Sequence, residues 1–275
     1  MQTPTQSADL RSKGYVIVRG LIDSDTIAAI RRGLLRQAEA LARTQGYRSG
    51  DRLLEGVAKA DPEAVPLHQR FRKLNGLADV PEVWNGWYAH PAVIAHLRTW
   101  LGSGDILSKF TSAFLKPARI GGPTPWHQDI ALWRDRNHDA ANGWLAIDPA
   151  TRANGCLQVV PGSHLGPVIP HVEYEDSVHG ELPRDQCVDL VVDHIELAPG
   201  DAVFWHSNLW HHSPPNTSDQ DRMGVGAVWI SPDQIPQVNH TMNLRWAARG
   251  GTAVPHPAPR FIVEAPATPA PLPVY

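Results

Sequence analysis

The chain has 275 residues, a formal net charge of -3 and two cysteines, Cys156 and Cys187. Such a charge offers no basic surface for nucleic acid, and two cysteines without CxxC spacing favour neither a disulfide framework nor a zinc site. No run approaches the roughly 18 consecutive apolar residues of a membrane helix, and the polar N-terminus lacks a signal core, so we expect a cytoplasmic protein that binds neither nucleic acid nor membrane.

The N-terminal part of the chain, residues 1–104, is predicted to be largely helical. A short strand at residues 15–18 precedes a helix between residues 23 and 46, which has an apolar stripe, a capping residue and a terminal glycine. A second helix is predicted over residues 91–101, where a proline suits the first turn. The polar and weakly periodic residues 47–80 predict irregular structure that could form a lid.

From residue 105 to residue 232 the sequence predicts a β-core. Short β-rich runs alternate with Gly and Pro, at residues 106–115, 143–147, 156–160, 187–197, 202–205 and 225–230. Several short strands without intervening helices favour a sandwich or jelly roll over a parallel α/β sheet. We therefore predict one domain over residues 1–251, followed by a Pro/Ala-rich tail, residues 252–275, which is either a disordered end or an extended strap.

His127 and Asp129 form the first part of a candidate metal site. A histidine and a carboxylate two residues apart on a strand face the same side, so both can reach one ion. The spacing alone is weak evidence, because it recurs in three pairs that we expect to be accidental: His171 with Glu173, His179 with Glu181, and His194 with Glu196. His171 and His179 are expected in an exposed loop. Only His127 follows a Gly/Pro-rich loop and precedes a histidine-rich strand and an arginine.

A third ligand would come from that later strand, where His206, His211 and His212 are all candidates and His211 is favoured. Two histidines and one carboxylate leave one face of a divalent metal open, as in non-haem Fe(II) oxygenases. Arg222 follows the strand. By itself it would be interpreted as a surface ion pair, but next to a metal strand it could bind the carboxylate of a cosubstrate.

The sequence resembles the phytanoyl-CoA dioxygenase (PhyH) family of Fe(II)/2-oxoglutarate-dependent oxygenases. The resemblance covers roughly residues 12–232 and is carried by residues 125–129, 154–164, 200–201, 211–218 and Arg222. It implies a mainly β fold, a double-stranded β-helix or cupin-like jelly roll with flanking N-terminal α-helices. It also implies that His127, Asp129 and His211 bind iron, since the family's distal histidine stands two residues before a serine.

The same resemblance implies a set of cosubstrate residues. Ser213 and Arg222 match the positions that hold the distal carboxylate of 2-oxoglutarate, and Lys116, Gln128 and Trp144 match other residues that line this site. The sequence departs from the family at His212, where a glycine is usual.

The resulting hypothesis is an enzyme that uses Fe(II), 2-oxoglutarate and O2 to oxidise an unactivated C–H bond of a small organic molecule, releasing succinate and CO2. Hydroxylation is favoured over halogenation, because related halogenases replace the carboxylate that stands here as Asp129. Desaturation, epimerisation and ring formation are alternatives. A cupin-like binding protein without redox chemistry and a zinc hydrolase are further alternatives. We expect a monomer or a homodimer.

Overall fold

The structure is a computed structural model. It describes residues 4–43, 52–54, 61, 65–66, 69–133, 140–235 and 241–264. Two antiparallel β-sheets form most of it. Their strands are β1 (Tyr15–Val18), β2 (Arg52–Leu54), β3 (Phe71–Asn75), β4 (Ile106–Lys116), β5 (Thr124–His127), β6 (Ala141–Ala146), β7 (Leu157–Val159), β8 (Asp193–Ile195), β9 (Ala202–His206), β10 (His211–Ser213), β11 (Arg222–Ile230), β12 (Met242–Arg249), β13 (Thr252–Ala253) and β14 (Arg260–Val263).

The helices lie mainly in the N-terminal part. They are α1 (Pro4–Lys13), α2 (Ser24–Arg43), α3 (Pro81–Val83), which continues as a π-helix over Trp84–Tyr88, α4 (Pro91–Leu101) and the single turn α5 (Asp129–Leu132). Asp23 caps α2 by accepting a hydrogen bond from the Thr26 amide at 2.8 Å. Gly102 ends α4 in the left-handed conformation. None of the described helices is long and apolar enough to cross a membrane.

The larger sheet has the strand order β1-β9-β6-β11-β4-β12-β13, and β3 also pairs with β4, β2 with β3 and β14 with β12. The smaller sheet has the order β5-β10-β7-β8. The central pair of the larger sheet, β11 with β4, runs from Arg222 opposite Lys116 to Ile230 opposite Leu107. This register brings two basic side chains together at one end of the sheet.

Alternate residues of β11 face opposite layers. Val225, Ala227 and Trp229 belong to the core that the larger sheet shares with the helices, where Trp229 meets Trp87 edge-on at a centroid distance of 5.3 Å. The apolar stripe of α2 covers this outer face. The opposite face of the larger sheet packs on the smaller sheet through a second apolar cluster, which includes Trp144 and Val159. The predicted jelly roll with N-terminal helices is confirmed.

Several sequence predictions need correction. The predicted strand at residues 187–197 is reduced to β8, because a 3₁₀ turn occupies Arg184–Cys187. Irregular structure over residues 47–80 is wrong for β2 and β3, while residues 47–51, 55–60, 62–64 and 67–68 lie outside the described residues. The β-core continues past residue 232, because β12 pairs with β4 and β14 with β12. Residues 265–275 lie outside the described residues, so the fate of the tail stays a prediction there.

Candidate active site

The three predicted metal ligands meet at the end of the smaller sheet. His127 is the last residue of β5 and lies directly opposite His211, the first residue of β10. Asp129 does not continue the strand, contrary to the prediction, because it is the first residue of α5. The helical turn brings its carboxylate back between the histidines, with Oδ1 3.6 Å from His127 Nε2 and Oδ2 3.6 Å from His211 Nε2.

Backbone carbonyls fix the orientation of both rings. His127 Nδ1 lies 2.8 Å from the Pro125 carbonyl oxygen, and His211 Nδ1 lies 2.9 Å from the Leu209 carbonyl oxygen. Because a carbonyl can only accept, each Nδ1 carries the proton and each Nε2 offers a lone pair. The Trp205 indole N–H donates to Asp129 Oδ2 at 3.0 Å and so orients the carboxylate.

The protonation states suit metal binding. Burial, reinforced by the neighbouring His211, lowers the pKa of His127 to about 3, so its Nε2 is unprotonated at neutral pH. Burial alone would raise the pKa of Asp129. The neighbouring His211 ring and the hydrogen bond that the Trp205 indole donates outweigh that effect and hold the pKa below its usual range.

This donor set fits a divalent ion. The ligand atoms of His127, Asp129 and His211 all lie within 4.8 Å of one another. The two 3.6 Å separations are shorter than twice a metal–ligand bond of about 2.1 Å, so one ion can bridge Asp129 and each of the histidines. Two imidazoles with one carboxylate on one side is the arrangement that non-haem Fe(II) uses.

The other two histidine candidates point elsewhere. His206 accepts a hydrogen bond from the Asn208 amide at 3.1 Å, and its ring lies near His164. The His212 ring stacks on Trp126 at a centroid distance of 5.0 Å. The structure therefore brings His211, and neither of the two alternatives, to the other ligands.

Basic and polar side chains form a second cluster, where β4, β10 and β11 meet. Arg222 and Lys116 are opposite each other across the larger sheet, and both reach Ser213 Oγ, with Nη1 at 3.3 Å and Nζ at 2.6 Å. Ser213 in turn donates to the Gly155 carbonyl at 2.8 Å. The Lys116 ammonium also donates to the Ser213 and Pro214 carbonyls, so it supports Ser213 from behind.

Arg222 is buried without an anion. Its Nη1 donates to the Gly155 carbonyl, but Nε has no acceptor and no carboxylate lies within ion-pair distance among the described residues. Burial lowers the pKa of Arg222 to about 10, so the guanidinium is still charged at neutral pH. The surface ion pair considered for it does not form, because Asp219 pairs with Arg119 and Asp221 accepts from Gln69.

Gln128 is the predicted cosubstrate residue that the structure does not bring to the site. Its side chain is fully buried, and its amide donates to Asn208 and to the Pro167 carbonyl while its oxygen accepts from the Ile169 amide. Those partners fix the loop behind the metal ligands. Since Gln128 follows His127 directly on an extended segment, its side chain points away from the side on which His127 faces the metal position.

A cavity of about 360 Å³ connects the two clusters, a size in the usual range for small-molecule sites. Trp144 lines it, and its ring centroid lies 5.2 Å from the Arg222 guanidinium carbon. Space for the indole comes from Gly224, where any Cβ would overlap the Trp144 ring. The remaining wall is largely apolar and includes Phe110, Leu132, Trp133, Val178 and Val228.

Two cavity residues were missed by sequence reasoning. Lys73, on β3, has its ammonium 4.6 Å from the Phe110 ring centroid, and burial lowers its pKa while the charge of Asp129 opposes that shift. No carboxylate pairs with Lys73 in the described part of the chain. His179 was expected in an exposed loop; instead it lines the cavity, with its ring centroid 4.6 Å from that of His127. Lys73 belongs to no spacing pattern, and the spacing of His179 and Glu181 is one of those expected to be accidental, so only the fold reveals the two residues.

A metal-ligand triad of this composition inside a jelly roll, facing an unpaired buried arginine, defines an oxygenase-type site. Comparison with known proteins agrees. Residues 10–224 match the family model for phytanoyl-CoA dioxygenase (PhyH). A probable phytanoyl-CoA dioxygenase from Caenorhabditis elegans is 29% identical over 199 residues, which cover 68% of this chain and 63% of that protein. The chain thus spans slightly less than two thirds of this relative's length.

Solved structures share the fold. EctD from S. alaskensis, crystallised with 2-oxoglutarate and 5-hydroxyectoine, superposes with a TM-score of 0.66 at 18% identity, covering 85% of this chain and 77% of that one. The 2-oxoglutarate-dependent epimerase SnoN from nogalamycin biosynthesis gives 0.59 at 20% identity, covering 82% and 81%. The chain belongs to the phytanoyl-CoA dioxygenase (PhyH) family of Fe(II)/2-oxoglutarate-dependent oxygenases, and the resemblance predicted from the sequence is confirmed.

Proposed function

We propose that the protein is an Fe(II)- and 2-oxoglutarate-dependent dioxygenase that hydroxylates an unactivated C–H bond of a small organic molecule. The observation that carries this proposal is Arg222, a buried cation without a counter-ion, placed in the same cavity as the His127, Asp129 and His211 triad. A cosubstrate with an anionic end and a metal-chelating end fits both features together.

The chain supplies binding and orientation. His127, Asp129 and His211 would hold iron(II), which together with 2-oxoglutarate and O2 supplies the oxidant for the C–H bond. Arg222 and Ser213 would bind the distal carboxylate of 2-oxoglutarate, since a guanidinium and a hydroxyl suit a carboxylate. Lys73 lies on the Asp129 side of the cavity, where its ammonium would balance the negative charge of the chelating end.

The apolar wall has a separate role. Phe110, Leu132 and Trp133 surround the part of the cavity away from Arg222 and would contact the organic substrate. Such a wall excludes water from the reacting carbon, which protects a reactive oxidant from side reactions.

Other outcomes of the same oxidant are alternatives. The carboxylate of Asp129 occupies the position that a halogenase needs for halide, which argues against halogenation. Desaturation, epimerisation and ring formation use the same ligand set, and the solved relative SnoN is an epimerase. Zinc hydrolysis is less well supported, because Asp129 is the sole carboxylate among the described residues that line the cavity, and no second one is present as a general base. A cytoplasmic location and a monomeric or homodimeric state are kept as predictions.

The ligand assignment is tested by replacing Asp129 with alanine. Under anaerobic conditions, Fe(II) with 2-oxoglutarate should give a weak visible charge-transfer band in the native protein and none in Asp129→Ala. Succinate release in a substrate screen should be lost in the same variant. A matched control is Glu196→Ala, because Glu196 also follows a histidine by two residues but is exposed and pairs with Arg152.

Two results would contradict the proposal. One is a native protein that gives no band with Fe(II) and 2-oxoglutarate. The other is native-level succinate formation by Asp129→Ala, which would show that the carboxylate is not a metal ligand.

A further inference from the structure

The connection between β7 and β8 carries His179 into the cavity. Two backbone hydrogen bonds join Val172 and Glu181, at 2.8 and 2.9 Å, and the next amide, that of Leu182, donates to the Trp126 carbonyl on β5 at 2.8 Å. The connection is therefore fastened to the strand that ends in the metal ligand His127.

Polar side chains hold the turn around His179. Ser177 Oγ donates to the His179 carbonyl at 2.7 Å, and Arg184 donates to the buried Glu181 carboxylate at 2.6 Å. The backbone at His179 is thus fixed from both sides before any ligand binds, which is the condition for a precise contact.

His179 offers an unused hydrogen-bond acceptor. Its Nδ1 lies 2.7 Å from the Gly180 carbonyl oxygen, so Nδ1 carries the proton and Nε2 carries the lone pair. Among the described residues the only side-chain hydrogen bond of His179 is that of Nδ1, and the half-buried ring lines the cavity.

His171 lies in the same connection and serves as a comparison, because its Nε2 accepts a hydrogen bond from the protein backbone. It has the same tautomer, with Nδ1 2.8 Å from the Ile169 carbonyl, but its Nε2 accepts from the Gln128 amide at 2.9 Å. His179 has no such partner. The His179 ring lines the cavity, so a ligand there can supply the donor that the protein does not.

The surroundings limit what the ligand can be. Val178 and Leu132 beside His179 are apolar, as are Phe110 and Trp133 further along the wall. The charge of Asp129 favours a cation near the His179 ring and the charges of Lys73 and Arg72 oppose it, so the apolar wall is what favours a neutral donor there.

On the basis of the proposed function, we infer that His179 Nε2 accepts a hydrogen bond from a hydroxyl group of the prime substrate. The substrate is then an alcohol on a largely apolar carbon skeleton. The contact, next to the metal ligand His127, selects which carbon faces the metal.

The test uses terpenoid and sterol alcohols, each paired with its O-methyl ether, titrated calorimetrically into the anaerobic protein with Fe(II) and 2-oxoglutarate. At least one alcohol should bind the native protein about tenfold more tightly than its ether, as expected for one hydrogen bond. His179→Phe should bind alcohol and ether equally. His194→Phe, on β8 outside the cavity, should keep the native preference.

A second variant covers a failure of His179→Phe to fold. His179→Gln places an amide oxygen near the same position and should keep part of the preference for the alcohol. The inference is overturned if no alcohol in the panel binds, if the native protein does not distinguish alcohol from ether, or if His179→Phe keeps the native preference. The charge-transfer band is recorded in every titration: a band without the preference overturns this inference alone, whereas no band in the native protein overturns the proposed function as well.

Discussion

Arg222 is an unfavourably placed residue in the ligand-free protein, because a charge has been removed from water without a compensating anion. Its hydrogen-bond partners are a backbone carbonyl and a hydroxyl, and neither carries a charge. A residue of this kind lowers stability in exchange for binding, so its removal should affect the two properties in opposite directions.

Arg222→Met tests that expectation. The affinity for 2-oxoglutarate, measured by anaerobic titration of the charge-transfer band, should fall roughly 10- to 100-fold, because a charged hydrogen bond is lost. The free energy of unfolding of the ligand-free protein, measured in urea, should stay the same or rise. Arg119→Met is the control, since Arg119 is exposed and paired with Asp219. An affinity that matches the native value would show that Arg222 does not bind the cosubstrate.

At the residue scale, the sequence was sufficient to predict the site residues that belong to a motif. His127, Asp129 and His211 could be predicted because the His-x-Asp pair, the later histidine-rich strand and Arg222 occur together in the order of the family resemblance, whereas the spacing alone recurs elsewhere. Gln128 was misplaced, since a linear motif does not show that neighbouring strand residues face opposite sides. Lys73 was missed because a lysine on a short strand has the same appearance in sequence whether it faces water or a cavity.

The residues of β11 lie in two surroundings, the apolar core and the cavity wall. Its odd-numbered positions fill the core under the helices, while Arg222, Gly226 and Val228 line the cavity. Glycine at position 224 is needed because the Trp144 indole lies where a Cβ would be, and Gly226 is crowded in the same way by Phe114. The two glycines therefore leave room for the Trp144 and Phe114 rings, which line the cavity.

Gly224→Ala should displace the Trp144 indole and so disturb the surroundings of Arg222. We expect the free energy of unfolding to fall by about 1–3 kcal/mol, as for other overpacked positions, and the KM for 2-oxoglutarate to rise. Gly180→Ala is the control for stability, since its Cβ would meet the nearest atom of His171 at an ordinary 3.4 Å. Equal stability and equal KM in both variants would contradict this account of β11.

Elements with strong patterns were predictable and others were not. The strands β4 and β11 and the helix α4 stand out through apolar runs with clear start and stop residues. The strand β12 was missed because its arginines and adjacent alanines, in Met242–Arg249, give no β-rich signal, and its pairing with β4 decides its structure. The helical turn α5 was also missed, because it begins at Asp129, two residues after the end of β5, without a helical pattern in the sequence.

At the scale of the whole molecule, buried histidines connect stability to pH. Burial lowers the pKa of seven described histidines, among them His127 to about 3 and His212 to about 4. The unfolded chain, with histidine pKa values near 6.5, binds more protons than the folded chain below that pH. The free energy of unfolding should therefore decrease as the pH falls below 6.5.

For the metal-free protein, urea unfolding at pH 7, 6 and 5 should show this loss. His127 and His212 together should contribute about 2–3 kcal/mol per pH unit between pH 6 and 5. His212→Phe can keep the stacking on Trp126 but cannot titrate. The slope of its free energy of unfolding against pH should therefore correspond to about one proton fewer taken up on unfolding than in the native protein. A native protein equally stable at pH 7 and pH 5 would contradict this prediction, as would an unchanged slope in the variant.

The metal triad belongs to β5, β10 and α5, whereas Arg222 and Lys116 belong to the opposing sheet. A cosubstrate that chelates the ion at one end and contacts Arg222 at the other would therefore link the smaller sheet to the larger sheet. Thermodynamic reciprocity then requires that metal and cosubstrate strengthen each other's binding by the same factor. Backbone amides of β5 and β10 in the smaller sheet, and of β4 and β11 in the larger sheet, would exchange with deuterium more slowly when both ligands are bound than with either alone.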